Sequence, residues 1–236
     1  MNSVVRVLLD PAPQQAQRLA ELQHAFAAVC NALAPLVQQT RCWNRVALHH
    51  MAYKQLRQQF PDIGSQMVCN AIYSVSRSCR LVYQHPQSPF NLARLGDKPL
   101  PRLHFLPQSP VYFDRHTLSI KDGQVSMYTL DGRMRFQINL TPEDEQRFRN
   151  EKLREIVLSA KATRFQLSFH FAQLEDAIPD QADDADAATR AELPEYVLVT
   201  SDDQLPAITT SAVTPAAMSA VTPATTPSAD TTRPSP

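Results

Sequence analysis

Arginine is the residue type in this chain whose number and placement could do chemistry: 18 of the 23 basic side chains are Arg and only 5 are Lys. A guanidinium fork donates to two phosphate oxygens at once and stacks on a base, whereas an ammonium acts as a point charge. Arg77 and Arg80 fall in one helical stretch, Arg133 and Arg135 on one side of a strand, and Arg147, Arg149, Lys152 and Arg154 in and after a short helix. Tyr53, Tyr73, Tyr83, Tyr112 and Tyr128 are interleaved with them. Arginine with interleaved aromatics fits contact with a nucleic-acid backbone, and a solvated basic surface is the plainer alternative.

Other chemistries find less support. His24 and the pair His49-His50 have no Asp, Glu or Cys at ligand spacing, so no metal site is expected. Ser and His occur without a Gly-x-Ser-x-Gly elbow, and no glycine-rich loop precedes a helix. Cys30, Cys42, Cys69 and Cys79 form no Cys-x-x-Cys pair, which favours reduced thiols over a zinc ribbon or a disulfide framework. Asp10, Asp62, Asp97, Asp114, Asp122 and Asp131 mostly take turn positions, where capping explains them. No catalytic residue, metal or cofactor is expected.

The net charge of zero conceals a split. Residues 1–172 carry 21 basic and 12 acidic side chains, and residues 173–236 carry 2 and 11. The first part is the one expected to fold, ending near Phe171 to Leu174. Residues 173–203 read as an acidic linker, with Tyr196-Val197-Leu198-Val199 as an isolated strand-like island. Residues 204–236 read as a disordered Thr/Ala/Pro tail, in which Ser211 to Ala216 recurs as Ser219 to Ala224. The apolar run from Val4 to Leu9 is too short for a signal sequence, and no stretch reaches the ~20 apolar residues of a membrane span, so a cytoplasmic protein without a membrane partner is expected.

The elements that must position the arginines follow from periodicity. Val5, Val7 and Leu9 mark a first strand, stopped at Asp10-Pro11. Leu19, Leu22, Phe26, Val29, Leu33 and Leu36 give a long helix, which Pro35 should kink or end near its last turn. A second helix is expected over Arg45 to Gln59, with Val46, His50, Tyr53 and Leu56 inward. A third is expected over Ser65 to Tyr83, capped by Asp62 or Ser65, with Val68, Ala71, Ile72, Val75, Cys79 and Val82 on its inner side. His85 to Pro110 reads as a loop-rich crossover.

Strands follow: Leu118 to Ile120 and Val125 to Tyr128 flank Asp122-Gly123, a type I′ hairpin signal, and Asp131-Gly132 precedes a strictly alternating strand, Met134 to Leu140. Thr141-Pro142 starts a short helix. A last hairpin spans Glu155 to Ala160 and Arg164 to Phe171. The fold class is therefore α+β: a small antiparallel β-barrel or twisted sheet, residues 1–10 and 100–172, interrupted early by three helices and a crossover over 11–99.

One segment is more specific than its periodicity. Tyr53 to Phe60, Pro61, then Ser65-Gln66-Met67 and Ala71-Ile72, resembles the Leu-Arg-x-x-Phe-Pro, Ser-Gln-Met and Ala-Ile run in the N-terminal part of the TnpB/OrfB family of transposon-encoded RNA-guided nucleases. Tyr112 to Ile120, Val125 to Thr129 and Gly132-Arg133 are similar to the same family's next strands, in order and spacing, so the resemblance spans roughly residues 3–172. It implies a wedge-type, OB-like barrel with a helical recognition insert that grips guide RNA and a short DNA motif beside the target. By position, Tyr53 and Gln66 resemble the tyrosine and glutamine that face that motif; core packing for Tyr53 and helix capping for Gln66 are the alternative roles. The helix departs from the family at Tyr73, where a basic residue is common.

A RuvC-like nuclease half needs three carboxylates to hold two metal ions. Asp202 and Asp203 stand where the first is expected, without its flanking glycines, and no zinc ribbon follows. The expectation is a nuclease-deficient, TnpB-like binding module for RNA and for DNA, with Tyr53, Gln66, Arg77, Arg80, Arg133 and Arg135 as contact residues. One half of a split nuclease served by a RuvC-like partner chain, or a non-functional transposase fragment, are the rival readings.

Overall fold

The computed structural model describes residues 3–161, 164–172 and 194–200. The chain divides into two units, Met1–Leu205 and Pro206–Pro236, and the described residues all lie in the first. The expected acidic stretch over Glu175 to Asp186, Asp202 and Asp203, and the expected tail lie outside the described residues. The structure is α+β, with helices beside antiparallel sheets.

Strand β1, Ser3–Leu9, buries Val5, Val7 and Leu9 and leaves Arg6 and Leu8 outward, the period of two that a half-buried strand requires. Helix α1, Pro13–Thr40, opens on Pro13, and the Gln15 side chain accepts from the Ala12 N–H at 3.0 Å. Pro35 does not end it. The helix runs five residues further because Leu33, Ala34 and Val37 around the proline are buried, and it closes at Arg41 in a left-handed conformation, φ 51°.

Helix α2, Arg45–Gln59, is capped by Asn44, whose side chain accepts from Ala47 N–H at 3.0 Å. Its inner stripe is Leu48, Ala52 and Leu56. The expected stripe was rotated from this one: Val46 is 60% exposed, His50 is exposed and Tyr53 is half-buried. Several polar residues surround a short apolar set here, so Ala52 decides the face, and alanine gives little signal in a periodicity. Helix α3, Ser65–Cys79, carries its expected inner side and continues as a π-turn over Arg80–Gln84. Gly64 takes the cap position with no side-chain cap, in place of Asp62 or Ser65.

The crossover holds two elements that periodicity missed, a single turn α4, Leu92–Leu95, and strand β2, Arg102–Phe105. Next come β3, Val111–Phe113, β4, Leu118–Lys121, β5, Gln124–Thr129, and β6, Gly132–Gln137. The β4–β5 turn is type I′, with φ of 50° at Asp122 and 71° at Gly123. Helix α5, Pro142–Asn150, has the expected start: Thr141 accepts from Asp144 N–H at 3.1 Å, and the Asp144 carboxylate reaches back to the Thr141 N–H. Strands β7, Lys152–Lys161, and β8, Arg164–Ala172, form the last hairpin.

The strands form three ladders. One has the order β1-β8-β7-β3, so the first strand pairs with the end of the run and the three helices are an insert between them. The second is β4-β5-β6, joined to the first through the turn from Asp114 to Thr117, where the Asp114 side chain accepts from His116 and Thr117 N–H at 3.0 Å each. The third pairs β2 with β9, Val197–Thr200, so the island beyond the acidic stretch is not isolated and a strand stands within the expected linker. Tyr196 anchors it: its carbonyl accepts from Leu106 N–H at 3.0 Å, and its half-buried phenol is hydrogen-bonded to Tyr112 and Ser78. Among the described residues no ladder joins β6 to β1, so the strands form separate sheets rather than the closed barrel expected, and β1 and β6 are both edge strands.

Candidate nucleic-acid interface

Strand alternation sorts the β4-β5-β6 sheet into two faces. Leu118, Val125, Met127, Met134 and Phe136 are buried on one. The other presents three cross-strand rows: Ser119, Ser126 and Arg135; Lys121, Gln124 and Gln137; Tyr128 and Arg133. These rows hold three cations and no carboxylate. Arg133 is fixed before any ligand arrives: its Cζ lies 4.1 Å from the Tyr128 ring centroid, and Nη1 donates to the Ser126 Oγ at 3.2 Å. Tyr128 is 43% exposed, so the ring offers a stacking surface beside a positioned guanidinium.

Arg135 opens onto a second feature. A cleft of about 560 Å³ is lined by Arg6 and Leu8 of β1 and by Arg135 and Gln137 of β6, with Asp10 and Asn139. Both strands are sheet edges, so the cleft lies at the seam between two separate sheets. The seam is held from one side by Arg18 of α1, whose Nε donates to Asp131 Oδ1 at 2.9 Å in the β5–β6 turn and whose Nη2 donates to Thr129 Oγ1 at 3.1 Å. These hydrogen bonds from Arg18 hold the Asp131 carboxyl below its ordinary value. Arg6 was not among the expected contact residues. Its outward position is legible from Val5, Val7 and Leu9 on either side, but its meeting with Arg135 depends on how two sheets face each other.

The other expected residues lie on the helical insert, away from the sheet rows. Arg77 is turned inward: Nη1 is 3.4 Å from Glu155 Oε2 on β7 and 3.4 Å from the Tyr73 Oη. Burial works against its charge, and the Glu155 carboxylate prevails, holding the guanidinium above its ordinary value. Arg80, in the π-turn, donates to Ser76 Oγ at 3.3 Å and is half-buried. Tyr53 stacks on His49 with centroids 4.6 Å apart, half-buried rather than core. The Gln66 amide does not cap its helix; Nε2 donates to Asp114 Oδ2 at 2.6 Å and ties α3 to the β3–β4 turn. Arg45 lies over the Tyr73 ring at 5.4 Å from its centroid, so a cation from α2 stands over an aromatic ring of α3.

Among the described residues no three His, Cys, Asp or Glu stand together as a metal site, and no helix is long and apolar enough to cross a membrane. No protein-family model matches this chain, and no curated protein matches it.

Proposed function

We propose that the chain is a nucleic-acid-binding module that grips RNA, and secondarily duplex DNA, by arginine contacts to phosphate, in the manner of the guide-holding half of a TnpB-like protein. The observation that carries this reading is the outer face of β4-β5-β6, where Lys121, Arg133 and Arg135 are exposed with Tyr128 among them and no acid shares their rows. Phosphate affinity comes from such cations through release of counterions, and exposed rings add stacking. The excess of 21 basic over 12 acidic side chains in residues 1–172 supports the same reading, as does the resemblance of residues 53–72 and 112–133.

The test is fluorescence anisotropy of a structured RNA titrated with the full chain. Arg133→Glu with Arg135→Glu places two anions where two phosphates would sit and should weaken binding by about tenfold or more. Unchanged affinity would remove this face as the contact surface. The proposed role is binding rather than cutting: with Mg²⁺ and a duplex or single-stranded DNA, product should not exceed a protein-free control, and robust cleavage would contradict the reading.

A further inference from the structure

Two guanidinium groups from independent sheets line one space: Arg6 stands on the free edge β1 and Arg135 on the free edge β6. Among the described residues neither has an ion-pair partner, although Asp10 lines the same cleft. Leu8, two residues along β1 from Arg6 and on the same side, is 55% exposed, an apolar side chain left facing the cleft mouth. The volume of about 560 Å³ falls within the range of roughly 300–1,000 Å³ typical of small-ligand pockets. The geometry points to a site for one unpaired nucleotide of a bound single strand, with its phosphate between Arg6 and Arg135 and its base against Leu8.

Each part of such a ligand meets a fitting group. Forked donors on two sides suit the phosphate oxygens. The exposed Leu8 side chain gives a base face an apolar contact, and a base that is unstacked exposes its hydrogen-bonding edge. The amides of Gln137 and Asn139 can donate and accept at that edge, while Asp10 accepts from an amino group. Edge strands add backbone N–H and C=O groups that no ladder uses. A paired duplex offers its phosphates but not the base contacts, because its pairing edges are engaged and its faces are stacked. An extended peptide could use the same strand edges, but two cations against one carboxylate favour a ligand with a compact negative charge.

This inference rests on the nucleic-acid reading above, and one experiment separates the two. The full chain and its Arg6→Ala and Leu8→Asp variants are titrated into a short labelled single-stranded RNA and into a blunt-ended RNA duplex with no unpaired nucleotide. Both substituted residues are exposed, and a circular dichroism melt verifies the fold. Arg6→Ala should weaken single-strand binding by about tenfold, the scale of one lost charged contact, and lower the slope of log K against log salt by about 0.7. Duplex affinity should change by less than about twofold, and Leu8→Asp should show the same selectivity. Equal losses on both RNAs, or no loss on the single strand, would overturn the cleft site and leave the sheet-face reading standing. A Glu-rich peptide that displaces the single strand as well as unlabelled RNA of equal charge would also overturn it. Failure of the unsubstituted chain to bind either RNA would overturn both.

Discussion

Arg77 joins the helical insert to the sheet by placing its charge beside a nearly buried carboxylate, with Glu155 only 10% exposed along its side chain. Removing one member of such a pair takes a counter-charge away from the other in a poorly hydrated place. Arg77→Ala should therefore destabilise the fold by about 3 kcal/mol, seen as a lower urea midpoint. A variant that kept its midpoint but lost RNA affinity would make Arg77 a ligand contact instead. The cysteines divide by the same logic of burial. Burial pushes the Cys30 and Cys79 thiols well above their ordinary value and raises the Cys69 thiol too, but Cys42 and Cys69 are only half-buried. Iodoacetamide should modify Cys42 and Cys69 in the native protein and reach Cys30 and Cys79 only on unfolding; early labelling of Cys30 would show that α1 is not packed as described.

Elements divide into those announced by their own residues and those made by remote partners. The β6 alternation, the Asp122-Gly123 turn and the Thr141-Pro142 helix start were legible because each signal is local, a side-chain period or a backbone preference. Strand β2 was not: Arg102, Leu103, His104 and Phe105 alternate, but a run of four beside prolines is too short to announce a strand, and β2 becomes one through pairing with β9, almost a hundred positions away in sequence. Asn31 of α1 then clamps it, accepting from Phe105 N–H at 2.7 Å and donating to its carbonyl at 2.9 Å. The cleft was illegible for the same reason, since it exists only where β1 and β6 face each other. Gly123→Ala tests how firmly the hairpin beneath β6 is built. A methyl at φ +71° is strained, and it would meet Gln137 Nε2 at 3.4 Å. A loss of about 1–2 kcal/mol is expected in thermal or urea unfolding, and a neutral result would contradict the type I′ geometry. The Arg18 tie to the β5–β6 turn should also depend on acid. Because the folded Asp131 carboxyl titrates below its unfolded value, its contribution is present above the ordinary carboxylate range and is lost as pH falls through the folded value.

Across the whole molecule, zero net charge is the sum of basic residues 1–172 and acidic residues 173–236, so the average says little about the surface that a partner meets. The proposed contact surface is small: three rows on one sheet and a seam between two strand edges. Such a surface binds phosphate mainly by releasing counterions, and that makes ionic strength the most direct probe of the central claim. The decisive measurement is the affinity of the full chain for a structured RNA across a salt series. The account predicts that log K falls steeply and linearly with log salt, and that Arg133→Glu with Arg135→Glu flattens the slope by about 1–2. A slope near zero in the unsubstituted chain, or one left unchanged by reversing both charges, would contradict it.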